Sequence, residues 1–465
     1  MKAVLIRAGG DSRSGETNIT GCYPPLGLAY VAASLREAGH EPVVLDAEAM
    51  GWGSAEAAAR IPADAGWIGF TSTTTAWPVV REAAAEVRRR FPDTPMIVGG
   101  PQVTAFPEET LAASVFDAGV MGDGERTAVA ICERLAAGRD LAGLPGCVAR
   151  SNGSIRAALP IPWVEDLDSL PLPALDLLPM DRYRSVLVDE PFVTMIASRG
   201  CPYRCDFCSQ IYDGDALRPR SPEAVVDEMA RAVDRFGARE IVLFDETFGA
   251  RRKAALRVCE LIRERGLRVR WNARTRIDLV DRELLAAMRA AGCHTLHLGI
   301  ESGTDRVLKL MNKRITTAQV RDAVRLARDL GFRTHGYFMI GYPGETRAEI
   351  DATLRFSRGL GLDWASYTIT LPHPRTPLGD RALRDGVLRP DYWTDHIHGR
   401  RPADELYFVS AECPAAHLKK AKRAAYLRFY LRPGILARAI AFFLRRGGLR
   451  RAAYAFRLWL REELR

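Results

Sequence analysis

Along the first 150 residues, short apolar runs alternate with stretches of helical spacing. Residues 3–6, Glu41–Asp46, 67–72, Met96–Gly99 and 118–121 read as buried strands, and 26–38, 79–91 and 127–137 as amphipathic helices. This alternation predicts α/β architecture, a doubly wound, Rossmann-like parallel sheet. Ligands of such sheets settle outside the carboxyl ends of the strands. Residues 9–14, 71–75, 99–102 and 122–125 stand there, small, Gly-rich and hydroxyl-rich, suited to close approach of a large flat ligand. From 151 to about 190 the pattern breaks, and Pro160, Pro162, Pro171 and Pro173 exclude continuous helix, so an extended linker is expected. A second alternating series follows, with strands at 192–197, 240–244, 269–273, 295–300, 334–340 and 364–370. Helices such as Pro222–Phe236, 281–291 and 318–330 separate them. Six such units predict a partial or full TIM-like barrel, with chemistry at the carboxyl ends of its strands. The expected organisation is a domain over 1–150, a Pro-rich linker over 151–190, a barrel over 191–390 and a helical, basic region over 391–465.

Length and composition narrow this picture. A chain of 465 residues is too long for one ordinary core, and 47% hydrophobic with 26% charged residues describes a soluble globular protein. No apolar run reaches the roughly 18–20 residues that span a bilayer. The opening apolar stretch stops at Arg7, which suits a first strand better than a signal peptide, so a cytoplasmic protein is expected. The net charge of +9 belongs to the end of the chain, where residues 419–465 carry 14 Lys/Arg against two Glu. The preceding body offers no case for nucleic-acid binding. Residues 427–464 interleave Arg with Phe, Leu, Tyr and Trp, the pattern of basic amphipathic helices that rest on an anionic membrane surface or pack as a lid.

Nine cysteines, an odd number with six scattered singly, do not form a disulfide framework. The other three cluster in Ser198-Arg-Gly-Cys201-Pro-Tyr-Arg-Cys205-Asp-Phe-Cys208, directly after a predicted strand. Thiolates at this density suit an iron–sulfur cluster or zinc. Zinc usually takes a fourth Cys or His at similar spacing, and the next histidine is the distant His294. Three ligands on a cubane leave one iron open to a substrate.

This segment resembles the radical S-adenosylmethionine superfamily, whose signature is Cys-x-x-x-Cys-x-x-Cys with an aromatic before the last Cys, here Phe207. The resemblance implies a [4Fe–4S] cluster on Cys201, Cys205 and Cys208, whose open iron chelates S-adenosylmethionine. Reductive cleavage then gives a 5′-deoxyadenosyl radical. It also implies an electron donor of flavodoxin or ferredoxin type. At later strand ends, Asp245 and Glu246 fall where the superfamily holds the amino group of S-adenosylmethionine. Glu301 and Ser302 fall near its ribose or sulfonium, and Gly341 on the adenine-contacting strand. Arg276 is placed towards the carboxylate or the substrate. His294, His297, Tyr337, Tyr367 and His373 are candidates for the substrate pocket, each with a structural role as the alternative.

The first half resembles the cobalamin-binding domain that precedes the radical domain in one large subfamily, through Pro24-Pro-Leu-Gly-Leu-Ala, Val98-Gly-Gly-Pro-Gln and Gly122-Asp-Gly-Glu-Arg-Thr. By that resemblance Thr71, Ser72, Thr73, Gly99, Gly100, Gly122, Gly124 and Glu125 contact cobalamin. Many such domains carry Asp-x-His-x-x-Gly after the first strand; here the loop is Gly9-Gly-Asp-Ser-Arg-Ser. His40 is the lone histidine before His294, so a cobalt without a His ligand is expected. The function implied is a cobalamin-dependent radical C-methyltransferase acting on an unactivated carbon of a small molecule. One S-adenosylmethionine methylates the cobalamin and a second gives the radical. Three alternatives stay open: radical C–C or C–O bond formation as in anaerobic tetrapyrrole cyclases, methylthiolation with a second Cys triplet, and a non-catalytic cobalamin sensor.

Overall fold

The computed structural model describes residues 1–9, 21–151, 153–209, 217–400, 413–437 and 453. Residues 10–14 of the first loop and most of the basic 427–464 stretch lie outside them. The described chain forms two compact units, Met1–Leu187 with residues 391–400, and Val188–Pro390 with residues 413–437.

The first unit is a seven-stranded sheet in the order Glu41–Asp46, Lys2–Arg7, Trp67–Thr71, Met96–Gly99, Ala118–Val120, Cys147–Ser151, Ser154–Ala157. The first five strands are parallel and the last two antiparallel. Strand parity explains the unbroken apolar runs. Val4, Ile6, Ile68, Phe70, Met96 and Val98 bury one face against the Trp77–Arg90 helix. Ala3, Leu5, Trp67, Ile97, Ala118 and Val120 bury the other against Leu26–Glu37 and Glu125–Ala136. Each large side chain so buried contributes about 1.5–3 kcal/mol. A hairpin of Cys147–Ser151 and Ser154–Ala157 continues this sheet past residue 150. Its outer strand is one-sided and polar, which hides its periodicity, although Asn152-Gly153 is a hairpin dipeptide. The Pro-rich stretch runs against this same unit, with Val164 N–H donating to Asp123 Oδ2 (2.9 Å) and Tyr183 Oη to Asp46 Oδ2 (2.7 Å). Residues 391–400 group with this unit too.

In the second unit six strands pair in chain order, all parallel: Phe192–Met195, Glu240–Leu243, Arg270–Arg276, Cys293–Glu301, Arg333–Ile340 and Trp364–Ile369. The result is a half-barrel, open between its first and last strands. Its helices start on strong signals: Ser221 caps Pro222–Phe236, and Thr316 and Thr346 form capping boxes with Gln319 and Glu349. The last strand is an edge, and the Ala415–Tyr430 helix covers it. Tyr430 Oη accepts from Ala365 N–H (3.1 Å) and donates to Ala365 O (3.0 Å), while Tyr426 Oη accepts from Tyr367 N–H (3.2 Å). Tyr430→Phe leaves both Ala365 groups without these partners. It is expected to cost about 1–3 kcal/mol, read as a lowered denaturation midpoint.

Candidate active site

The three-cysteine loop leaves the carboxyl end of the Phe192–Met195 strand and is braced at several points. Ser198–Arg199 pairs antiparallel with Arg218–Pro219. Asp245, at the end of the neighbouring strand, accepts from Ala197 N–H (2.9 Å) and Ser198 Oγ (2.6 Å). Further along, Asp206 N–H reaches Met311 O (3.1 Å) and Asn312 Nδ2 reaches Arg204 O (2.6 Å). Phe207 anchors the loop by packing on Val307, Met311, Tyr342 and Leu378.

None of the nine cysteines is in a disulfide; in the loop Cys201 and Cys205 are partly exposed and Cys208 is exposed. Arg276, from the third barrel strand, points Nη1 at Cys205 Sγ (3.3 Å) and lies over the Tyr203 ring (3.8 Å). Asp278 (2.9 and 3.1 Å) and the Lys313 carbonyl (2.7 Å) hold that guanidinium in place. Burial raises the Cys205 thiol, while Lys313 and Arg276 pull the other way, towards thiolate. Burial, then the charges of Cys205 and Cys201, push Cys208 up to about 12. Thiols that resist ionising beside one another, with cations set against them, suit ligation to a positive cluster. No group of three or more Cys, His, Asp or Glu among the described residues is placed to hold one metal ion. A cubane asks something different of its ligands, since each thiolate binds a different iron.

The two adjacent carboxylates have separate surroundings. Asp245 is buried, both oxygens committed to the loop, and burial raises its pKa. Glu246 is more exposed; desolvation by its surroundings, with the Asp245 charge adding to it, pushes it up to about 7, against backbone hydrogen bonds that include the Gly200 N–H. Of the pair, Glu246 is the carboxylate open to an incoming cation. Glu301 has φ of 68° at a register shift between Gly299 and Glu301, and its Oε1 meets Lys313 Nζ at 2.8 Å. Gly299 leaves the room: a Cβ there would sit 2.8 Å from Glu301 Oε1 and 2.9 Å from Lys313 Nζ. Ser302 is fully buried and bonds Thr353 Oγ1 (3.2 Å), a structural tie. Gly341 has φ of 77°, donates to Glu345 Oε2 (2.7 Å), and has Leu418 on the side a Cβ would take. That side is therefore closed to a flat base.

Inside the half-barrel, residues paired across adjacent strands form a polar cluster. His297 Nδ1 meets Tyr337 Oη at 3.0 Å, His335 and Tyr337 stack at 4.6 Å, and His335 Nε2 meets Ser366 Oγ at 2.8 Å. Burial holds His297 and His335 well below the usual histidine range. Of the sequence candidates, His297 and Tyr337 belong to this cluster. His294 instead faces Glu240 (2.9 Å), and Tyr367 bonds Ser357 (2.6 Å). His373 is largely enclosed, and burial lowers its pKa. Sequence reasoning missed Lys313 and His335, whose partners Glu301 and Ser366 lie 12 and 31 residues away, and Asp278, which acts through its near neighbour Arg276.

In the first unit, Thr71, Thr73, Gly99 and Gly100 stay partly open at the carboxyl edge of the sheet. Gly100 has φ of 98°, and a Cβ would lie 2.8 Å from Ser72 O, so glycine lets the two loops meet. At Gly99 a Cβ would touch nothing nearer than Val120 at 3.8 Å, leaving room for a broad ligand. A Cβ at Gly124 would lie 3.4 Å from Val31. Gly122 and Glu125 are different: Ile161 and Trp163 cover Gly122, and Glu125 is buried at the start of its helix. Cys132 and Cys147 are core residues, Cys132 accepting from Trp67 Nε1 (3.1 Å), so they do not build a second cluster with Cys22.

Comparison with known proteins follows the same division. Residues 16–132 match the B12 binding domain and residues 195–357 the Radical SAM superfamily. The uncharacterized methyltransferase PH0819 of Pyrococcus horikoshii is 35% identical over 440 residues, 93% of this chain and 94% of that protein. The anaerobic magnesium-protoporphyrin IX monomethyl ester cyclase of Rubrivivax gelatinosus is 29% identical over 375 residues, 78% of this chain and 67% of that one. The methyltransferase TsrM from Kitasatospora setae, solved with cobalamin and a [4Fe–4S] cluster, shares the fold. Its TM-score is 0.74 at 18% identity, over 100% of this chain and 99% of that one.

Proposed function

The chain belongs to the radical SAM superfamily, in the branch that also carries a B12-binding domain, and from this premise we propose that it is a cobalamin-dependent C-methyltransferase of a small molecule. The observation that carries the reading is the braced three-thiol loop at the first strand end of a half-barrel, in a chain whose other unit is a doubly wound sheet with an open carboxyl edge. Cys201, Cys205 and Cys208 would hold the cluster and Glu246 the amino group of S-adenosylmethionine. Thr71, Thr73, Gly99 and Gly100 would face the cobalamin. Bound there, these groups supply a 5′-deoxyadenosyl radical and a transferable methyl group.

The chain's own residues orient and enclose. Arg276 fixes Cys205 and neutralises charge beside it. Lys313 compensates Glu301 at the barrel mouth. The neutral His297–His335–Tyr337 cluster offers hydrogen bonds to a substrate without adding charge. A flavodoxin- or ferredoxin-type donor would supply the electron, and the nine free thiols suit a reducing, cytoplasmic setting. Methyl transfer is preferred over cyclisation because the methyltransferase relative matches over nearly its whole length.

A substrate-independent assay tests the choice. Anaerobically reconstituted enzyme, given S-adenosylmethionine, cobalamin and a strong reductant, is expected to form both S-adenosylhomocysteine and 5′-deoxyadenosine. 5′-Deoxyadenosine without S-adenosylhomocysteine would favour the cyclase-type reading. Neither product would end both.

A further inference from the structure

A segment far from the first unit in sequence is built into that unit's carboxyl edge. The Tyr392–Ile397 helix brings Ile397 into the core of Val80, Trp77 and Phe116. Its carbonyl accepts from Trp77 Nε1 (2.8 Å) and Arg81 Nη1 (3.1 Å), and Trp393 packs on Phe106 at 5.9 Å. These contacts fix the helix. The next one does something else: fully buried His396 sets Nε2 3.0 Å from the carbonyl oxygen of Thr74.

Thr74 lies in the loop that follows the Trp67–Thr71 strand, where ligands of a doubly wound sheet bind. It directly follows Thr71, Ser72 and Thr73. The rest of the loop is tied from within the sheet. Ser72 N–H donates to Gly99 O (2.9 Å), Gln102 N–H donates to Ser72 O (3.1 Å), and Thr73 Oγ1 accepts from Ala76 N–H (3.2 Å). A carbonyl accepts only, so Nε2 must carry the ring proton and Nδ1 must be bare. Among the described residues that buried Nδ1 has no hydrogen-bond partner. Burial lowers the pKa of His396, which keeps the ring neutral and this tautomer in place.

We propose that His396 is a positioning residue of the cobalamin site, holding residues 72–75 in the shape that receives the cofactor through its bond to the Thr74 carbonyl. The inference rests on the reading that the first unit binds cobalamin. It makes the site discontinuous: its loop comes from the sheet and its brace from beyond the barrel.

The test uses the full-length protein, hydroxocobalamin as probe and equilibrium dialysis as readout. His396→Ala is expected to bind about 10–100-fold more weakly, the effect of losing one buried hydrogen bond and stranding its partner. His396→Gln, whose amide N–H reaches about as far as Nε2, is expected to recover most of the affinity. Thermal midpoints of both variants, with iron content after reconstitution, report folding separately. Equal affinity in wild type and His396→Ala overturns the inference and leaves the functional reading standing. Failure of the Gln variant to rescue while its midpoint matches wild type overturns it as well. Nitrogen coupling in the electron paramagnetic spectrum of the bound Co(II) corrinoid, lost in His396→Ala, would make His396 a ligand and also overturn it. Wild-type protein that takes up no hydroxocobalamin sinks both the inference and the reading beneath it.

Discussion

Cys205→Ala is expected to abolish reductive cleavage of S-adenosylmethionine, lowering 5′-deoxyadenosine formation by more than about a thousandfold. Iron per chain after anaerobic reconstitution should fall from about four to a small residue, because two thiolates cannot retain a cubane of this kind. The fold should survive. Arg276, which loses the Cys205 contact, keeps Asp278 at 2.9 and 3.1 Å and the Lys313 carbonyl at 2.7 Å. The loop also keeps its Asp245 brace and the packing of Phe207. Hydroxocobalamin binding, which belongs to the other unit, should stay at the wild-type level. A variant that still cleaves S-adenosylmethionine at the wild-type rate would remove Cys205 from the cluster. Loss of cobalamin binding together with iron would mean that the substitution unfolds the chain, and Cys205→Ser would then have to separate ligation from folding.

What the sequence made legible was local or periodic. The strands could be read because burial on two faces leaves mostly apolar runs, and the helices because their apolar positions recur at helical spacing. The cysteine loop stood out because its three thiols lie within one short segment. The interactions that finish the site are long-range. Arg276 and Cys205 are 71 residues apart, and no spacing rule joins them. Lys313 meets Glu301 because Gly299 clears the space and the strand shifts register, neither of which a linear pattern displays. His396 joins the Thr74 loop across 322 residues. At Gly341 an added Cβ would meet Leu418, and at Gly122 Ile161 and Trp163, neighbours that no linear pattern displays. A glycine announces a close approach without saying by what.

The adjacent carboxylates Asp245 and Glu246 look equivalent in sequence but differ in their surroundings. Just past the end of the Glu240–Leu243 strand, Asp245 is buried against the loop while Glu246 is exposed. Asp245→Ala would leave the Ala197 N–H and the Ser198 hydroxyl without their acceptor inside the protein. That strands two polar groups, at about 1–3 kcal/mol each, where the cluster loop begins. The expected result is a loop that no longer presents its three thiols together, with iron content and 5′-deoxyadenosine formation falling in parallel. Asp245→Asn keeps one acceptor oxygen and should recover part of both. Glu246→Gln is expected to behave otherwise. Iron content should stay near wild type, because the one loop contact of the Glu246 side chain, at the Gly200 N–H, can be kept by the amide oxygen of Gln. KM for S-adenosylmethionine should rise by about tenfold, the effect of losing a charge-assisted hydrogen bond to its amino group. Measuring iron and KM on the same preparations separates the two residues. If Asp245→Ala retained iron and changed only KM, or if Glu246→Gln lost iron, the division between brace and binding group would be reversed.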